Sequence, residues 1–202
     1  AKIIATVAGS ISGVNADAEV TATLTAANDI AATTVKAGDI ITMTAGGTIQ
    51  GTSALGGAAM FLTAGTEIDG SDFTAAGDIT IAATDLAASS FISEAGSIMI
   101  SPVANIIDST IWAKTGAVTL GGVSDELDGS TISAATALTV TANWIVGSSL
   151  IAENGLLDVT ATTIDGSELL SKNGGIELDV NALNDSSLAA WTYITAVGAD
   201  AA

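Results

Sequence analysis

A short motif recurs about every 19 residues along almost the whole chain. An apolar residue opens it, a serine or threonine follows three positions later in every copy but the first, and a second apolar residue closes it, as in residues 68–73, 127–132 and 164–169. A fixed period of this length is typical of solenoid proteins, in which each repeat forms one turn of a coil and packs against its neighbours. The residues that open the ten copies are Ile11, Ile30, Ile49, Ile68, Leu86, Ile106, Leu127, Ile145, Ile164 and Leu183.

Apolar and polar residues alternate in a second stretch of each repeat. Residues 41–45, 79–83 and 138–142 show this alternation most clearly. A period of two over five residues predicts a half-buried strand rather than a helix. The threonine, valine and isoleucine that fill these stretches also suit a pleated surface.

The recurring motif must bend in its middle. In one straight strand, Ile68 and Phe73 would face opposite sides, because side chains alternate along a strand. A corner at Gly70 turns Ile68, Ser71 and Phe73 all inward, and glycine, alanine and aspartate tolerate the left-handed conformation of such a corner. The equivalent corner residues are Gly13, Ala32, Gly51, Gly70, Ala88, Asp108, Gly129, Gly147, Gly166 and Asp185.

A second set of glycines precedes the alternating strands. We expect them to supply positive φ angles at another turn of the rung, as X-Gly and Asn-Gly pairs commonly do. The members of this set are Gly38, Gly77, Gly96, Gly116, Gly155 and Gly174.

These patterns predict an all-β fold, a right-handed parallel β-helix (β-solenoid) with a roughly triangular cross-section. It would have about ten rungs of ~19 residues, with three short strands in each rung. The right hand follows from the strong preference of parallel crossover connections for that hand. Strands stacked ~4.8 Å apart would give a rod about 48 Å long. Because the repeat runs from end to end, residues 1–202 are expected to form one domain without separate caps.

The charge of the chain excludes several partners. Twenty-two acidic residues face four lysines and no arginine, which gives a net charge of −18. Nucleic acid is therefore not an expected partner, because phosphate binding needs a basic surface. The chain has no apolar run long enough to cross a membrane, so we expect no membrane insertion. No signal peptide is visible and the chain starts at Ala1, which favours a processed mature protein over a trimmed fragment.

The rung has the form Gly-x-Ile-x-Ile-x-Ala-x-x-Ile/Leu-x-x-Ser-x-Phe/Ile, and residues 76–83 and 172–178 match it most closely. This pattern resembles the adhesin repeats of the filamentous-haemagglutinin type, over about nine-tenths of the chain. Nothing in the chain resembles that family's amino-terminal secretion domain. The resemblance implies an exported β-helix located extracellularly or on a cell surface, and it implies no catalytic residue.

The column of serines and threonines supplies hydroxyl groups, but we do not expect them to act as catalytic nucleophiles. A serine nucleophile needs a general base, usually histidine, and the chain contains none. We therefore expect a hydroxyl ladder in which each group bonds to a turn carbonyl or a neighbouring rung. The column consists of Thr33, Thr52, Ser71, Ser89, Ser109, Ser130, Ser148, Ser167 and Ser186.

Outward-facing threonines of the second strand form an array that could be compared with an ice-binding lattice. Phe61, Met99, Asp158 and Glu177 interrupt it, so we expect an ordinary exposed strand surface instead. Oppositely charged residues also stack on successive rungs at residues 94 and 114, and again at residues 153 and 172. These pairs are expected to relieve charge repulsion.

Acidic residues cluster at the corners, for example at residues 125–128. Carboxylates on both sides of a bend could share a Ca²⁺ ion, which prefers flexible oxygen ligands. A solvated acidic surface is the simpler interpretation. A glycosidase pair is a poor one, because the chain has neither arginine nor histidine and few aromatic residues to hold a sugar. We predict no enzyme and no cofactor other than weakly bound Ca²⁺. Its candidate ligands are Asp69, Asp72, Asp128, Asp165 and Glu168.

Both ends of the chain resemble ordinary rung strands. A solenoid needs caps to cover its terminal edges, and neither residues 2–7 nor residues 191–197 look like a cap. Two complementary open ends make a heterologous contact that does not close, which generates filaments. The expected interface residues are Ile3, Ile4, Val7, Trp191, Tyr193, Ile194 and Val197.

The sequence therefore predicts a non-enzymatic structural protein, an extracellular subunit that polymerises head to tail with itself into a filament, fibre or sheath. The alternative is a rod segment of a surface adhesin or autotransporter-like passenger, which would bind a host or cell-surface ligand. A longer gene product with flanking rungs or an anchor domain would favour this alternative.

Overall fold

A computed structural model describes residues 1–101 and 103–198. These residues form 27 strands and no helix, and every strand pairing is parallel, so the predicted β-solenoid of about ten turns is confirmed. Among them, accordingly, no helix is long and apolar enough to cross a membrane. The single-domain prediction spans residues 1–202, of which 102 and 199–202 lie outside the described residues.

Each of the first six rungs has the three short strands that the sequence predicts. Rungs one to three are β1 (Ile3–Val7), β2 (Ile11–Ser12), β3 (Asn15–Ala18), β4 (Ala22–Ala26), β5 (Ile30–Ala31), β6 (Thr34–Ala37), β7 (Ile41–Ala45), β8 (Ile49–Gln50) and β9 (Ser53–Gly56). Rungs four to six are β10 (Met60–Ala64), β11 (Glu67–Asp69), β12 (Asp72–Ala75), β13 (Ile79–Ala82), β14 (Asp85–Ala87), β15 (Ser90–Ser93), β16 (Ile98–Ile100), β17 (Asn105–Ile107) and β18 (Thr110–Ala113).

The later rungs differ, because their first two strands merge into one long strand. They are β19 (Val118–Asp128), β20 (Thr131–Ala134), β21 (Leu138–Val146), β22 (Ser149–Ala152), β23 (Leu157–Asp165), β24 (Glu168–Ser171), β25 (Ile176–Asn184) and β26 (Ser187–Ala190), and β27 (Ile194–Val197) begins an eleventh rung. Glycines separate the two strands at residues 46–47, whereas Trp144 and Thr163 pair in register at the equivalent place. Residues that favour strands thus continue the ladder in the later rungs, whereas glycines interrupt it at the equivalent place in the third rung.

The strands form two ladders that run along the rod. The third strands of the rungs make a ten-stranded sheet from β3 to β26, here called the narrow sheet. All other strands make a seventeen-stranded sheet, the wide sheet. Inward-facing isoleucine, leucine, valine and alanine fill the space between them, and the rings of Phe73 and Phe91 stack there with centroids 5.4 Å apart. The opening residues of the motif are buried in all rungs except the last, where Leu183 is 39% exposed.

The predicted corner column is confirmed at all ten positions. Their φ angles are positive and range from 42° at Asp185 to 65° at Gly13. Ala32, Ala88 and Asp108 adopt this left-handed conformation as well, although they carry a Cβ atom. The corner thus turns the chain between the second strand and the narrow sheet in every rung.

The expected role of the second glycine set is wrong, because none of its members has a positive φ. These glycines lie instead against the backbone of the preceding rung. A Cβ atom on Gly116 would overlap the carbonyl oxygen of Gly96, and one on Gly38 would overlap that of Glu19. Glycine is needed there for the close approach of two turns, and not for an unusual backbone conformation.

Candidate assembly surfaces

The first strand leaves one edge of the wide sheet open. Among the described residues, β1 pairs only with β4. Ile3 and Ala5 are half-buried and pack against the core, whereas Ile4 is 62% exposed and Val7 is 40% exposed. This edge therefore combines unpaired backbone groups with apolar side chains, as expected for one end of a solenoid.

The last strand leaves the opposite edge open. Within the described residues, β27 pairs only with β25, and Ile194 and Val197 are largely exposed. The sequence predicted a strand over residues 191–197, but the strand begins at Ile194. Ile194 pairs with Ile176, the first residue of β25, so β27 begins at the same place in the rung as the strand below it. Just before it, the ring of Tyr193 lies so close over Gly175 that a Cβ atom there would overlap it.

The hydroxyl of Tyr193 anchors this segment by donating a hydrogen bond to Glu177 at 3.0 Å. The bond favours the protonated phenol, so it raises the pKa of Tyr193, and desolvation and the charge of Glu177 raise it further. The bend that precedes Tyr193 leaves Trp191 on the side of the rod rather than in the open ladder, with 78% of its surface exposed.

The two terminal strands occupy the same position in the rung. Ile3 pairs with Ala22 at the start of the wide sheet, and Ile176 pairs with Ile194 at its end. These four residues belong to one inward column that continues through every rung. A second copy placed on β27 in the same register would bring its Ile3 opposite Ile194.

The two ends also differ in charge. Lys2 precedes β1, whereas an open depression at the other end is lined by Asp158, Glu177 and Asp179 together with Thr195 and Val197. In a chain with a net charge of −18, this is a local complementarity between a cation at one end and carboxylates at the other.

The hydroxyl ladder is confirmed. From Thr52 to Ser167, each ladder residue donates its backbone N–H to the hydroxyl oxygen one rung on, over 3.1 to 3.3 Å. Each hydroxyl also donates its own proton to the carbonyl two residues earlier, for example Ser130 to Asp128 at 2.9 Å. The partners of these hydroxyls are peptide groups, which cannot act as a general base.

We expect Ser130→Ala to lower the free energy of unfolding by about 1–3 kcal/mol, because it leaves the buried N–H of Ser109 without an acceptor. Ser133→Ala is the matched control: Ser133 is half-exposed on the same rung, so its loss should cost less than about 0.5 kcal/mol. Thermal denaturation followed by circular dichroism measures both. Equal effects would contradict a structural role for the ladder.

The structure does not assemble the candidate Ca²⁺ ligands into a site. Asp69 and Asp72 lie on opposite sides of the corner, and Asp69 accepts a hydrogen bond from Gln50 at 2.9 Å. Asp128 and Asp165 lie two rungs apart with Val146 between them. In the described part of the chain, no group of three or more acidic side chains is placed to hold a metal ion. Weak Ca²⁺ binding stays a prediction.

Sequence reasoning missed a different acidic patch. Glu67 lies in register with Asp85 and two residues before Asp69, on the outside of the wide sheet. Burial raises the pKa of Glu67, and the charges of Asp69 and Asp85 raise it further. Asp85 accepts hydrogen bonds from the backbone and side chain of Asn105. The repeat length alone indicates that Glu67 and Asp85 lie next to each other on successive rungs, so the sequence contained the signal for this patch.

The predicted charge pairs are confirmed. Lys114 contacts Glu94 and Lys172 contacts Glu153, each with 2.7 Å between nitrogen and oxygen. Lys114 also lies 4.9 Å from the ring centroid of Trp112. Such partly exposed pairs contribute only ~0.2–1 kcal/mol each, so they tune the surface rather than hold the fold.

The threonine array lies in register, with Thr23, Thr42 and Thr80 in one outward column of the wide sheet. Phe61 and Met99 interrupt this column, and 42% and 58% of their surfaces are exposed. The array is therefore uneven, as the sequence predicts.

A second outward column went unnoticed in the sequence. It consists of the third residue of each narrow-sheet strand from β9 to β26, and we call it the outer column. In the sequence, each of its members follows a residue of the hydroxyl ladder by three positions. Its members are Leu55, Thr74, Ile92, Trp112, Ser133, Ile151, Leu170 and Ala189.

Comparison with protein-family models, curated proteins and solved structures found no match to this chain. The resemblance of the rung to adhesin repeats therefore stays a prediction. The right hand of the coil stays a prediction as well.

Proposed function

We propose that this protein is an extracellular structural subunit that stacks head to tail into a filament, fibre or sheath. One observation carries the proposal: β1 and β27 occupy the same position in the rung and, within residues 1–101 and 103–198, expose opposite, unpaired edges of one ladder. A contact between them would repeat the pairing that already joins the first strand of each rung to the next. Such a contact does not close on itself and therefore grows.

The hydrogen-bonding groups of the two edges match. Ile3 donates its N–H to Thr21 and Ile176 donates its N–H to Tyr193, so residues of this inward column point their N–H groups toward the next rung. Directions alternate along a parallel strand. Ile194 and Ala196 therefore direct their N–H groups out of the free edge of β27, and Ile4 directs its N–H out of the free edge of β1.

Side chains at the junction support the same register. Lys2 precedes Ile3 as Tyr193 precedes Ile194, so Lys2 of the next copy would lie over Tyr193, close to Glu177. This contact would offset part of the repulsion between two chains of net charge −18. The apolar Ile4 and Val197 would lose water at the same junction, which favours association.

The form of the rung favours a second candidate, a rod segment of a surface adhesin. Its resemblance to adhesin repeats is the supporting observation, and it is also the support for an extracellular location. In that role the outward faces of the rod would bind a host or cell-surface ligand.

Electron microscopy and sedimentation of the purified 202-residue chain at neutral pH test the proposal. We expect unbranched filaments with an axial repeat of about 50 Å, one rod per subunit. Parallel samples with Ca²⁺ and with a chelator show whether assembly depends on the cation. Short monodisperse rods in both samples would contradict head-to-tail growth and leave the adhesin rod as the better candidate.

A further inference from the structure

The outer column of the narrow sheet is an apolar stripe along the side of the rod. Its members pair in register from β9 to β26, so they stack directly above one another. Leu55 is 50% exposed and Trp112 is 41% exposed, and Ile92, Ile151 and Leu170 are half-buried. Eight rungs spaced ~4.8 Å apart make the stripe about 34 Å long. Six of the eight members are apolar, with Thr74 and Ser133 between them, and a surface this rich in exposed apolar side chains marks an interaction site.

The face that carries the stripe has few charged side chains between β9 and β26. Lys114 lies 4.9 Å from the ring centroid of Trp112, and Lys36 stands next to Leu55 just beyond the end of the stripe. Besides the outer column, each of the eight strands from β9 to β26 directs its first residue outward, and six of these residues are serine or threonine. Asp72 and Glu168 are the exceptions. In a chain of net charge −18, a face with few carboxylates limits the repulsion between two copies that approach through it.

When the outer column is placed against a second copy of itself in reverse order, the sizes of the facing residues are complementary. Its first and last members are Leu55 and Ala189, and its two central members are Trp112 and Ser133. Large residues thus meet small ones at the ends and at the centre. Between them, Thr74 would meet Leu170 and Ile92 would meet Ile151. A column that complements its own reverse is what an isologous contact between two identical chains requires.

We propose that two copies of this chain pair face to face through their narrow sheets, with antiparallel rods. The two-fold axis runs parallel to the strands and passes between β18 and β20. This arrangement places Leu55 of one copy over the hollow at the other end of the stripe. Leu170, Ala189, Ala190 and Trp191 line that hollow together with Ser171 and Lys172. The exposed Trp191 thereby gains a contact that the isolated rod does not give it.

The expected contact is modest. A face about 34 Å long and four residues wide, roughly 13 Å, gives about 900 Å² of buried surface over both copies, slightly below the usual size of a stable interface and typical of a weak one. The pairing also sets Asp72 opposite Glu168 of the second copy, and both side chains are exposed. We therefore expect a dissociation constant in the micromolar range that decreases as salt screens this repulsion.

The pairing rests on a surface separate from the ends of the rod, so the two can be tested apart. The full chain carrying Ile4→Pro, which is expected to block growth at the ends, serves as the parent for sedimentation equilibrium. The parent should form dimers and no larger species. Ile92→Lys alone, or Ile151→Glu alone, should each raise the dimer dissociation constant at least about tenfold, because each buries unpaired charges in both symmetry-related contacts.

An equimolar mixture of these two variants is the decisive sample. In a mixed dimer, the lysine of one copy faces the glutamate of the other, and the second contact keeps two isoleucines. We expect pairing to recover to within about threefold of the parent. Met99→Lys, an exposed apolar residue on the wide sheet, should change nothing. A parent that stays monomeric at millimolar concentration, single variants that pair like the parent, or a mixture that fails to recover would each overturn the proposal.

Discussion

Gly116→Ala is expected to destabilise the rod by about 3 kcal/mol or more, one of the largest effects of any single added methyl group in this chain. The new Cβ atom would overlap both the carbonyl oxygen and the carbonyl carbon of Gly96. These are backbone atoms, so no side chain can move aside to accommodate it. The two rungs would have to separate at this turn, which lengthens the adjacent ladder hydrogen bonds in the middle of the rod.

Gly51→Ala is the matched control, because it adds the same methyl group at a corner with φ of 54° and no atom within contact distance. Ala32 and Ala88 already occupy the same column in other rungs with similar angles. The cost should therefore be about 1 kcal/mol, the strain of a left-handed alanine. Urea and thermal denaturation compare the two variants directly. Similar losses at both positions would show that backbone overlap is not why the turn needs glycine.

These two glycines mark the limit of what the sequence could predict about the fold. The period located the corner column, and the odd number of residues between the inward Ile68 and Phe73 required a bend there. The spacing alone therefore predicted which residues need a left-handed backbone conformation. The distance between neighbouring turns depends on how two rungs stack, and no single repeat contains that information. Similarly, the merging of strands at Trp144 depends on pairing with Thr163 one rung away.

The candidate surfaces divide in the same way. Alternation and period were enough to predict strands at Ile4 and Ile194, with open edges in the same register. The predicted start of the last strand at Trp191 was wrong, because β27 begins at Ile194 in register with Ile176, the first residue of β25. The outer column was missed because its members become neighbours only when the rungs stack. Their size complementarity appears only when that stacked column faces a second copy running in the opposite direction.

Ile4→Pro is expected to abolish head-to-tail growth while leaving the rod folded. The N–H of Ile4 points out of the free edge of β1, and its side chain is 62% exposed, so proline removes no internal hydrogen bond and little burial. At the junction, the same substitution removes a donor from the ladder and places the proline ring where the backbone of β27 would lie. Proline therefore acts on an edge strand as a block to further pairing.

Ile4→Thr separates the ladder from the apolar contact. Threonine is the residue found at this outward position in β4 and β7, so it keeps the backbone donor and strand propensity but gives up part of the buried apolar surface. We expect it to raise the concentration needed for filament growth about tenfold or less, whereas Ile4→Pro should raise it at least about a hundredfold. Light scattering against protein concentration measures both thresholds. If Ile4→Pro grows filaments like the unsubstituted chain, the junction does not continue the ladder, and assembly must use another surface.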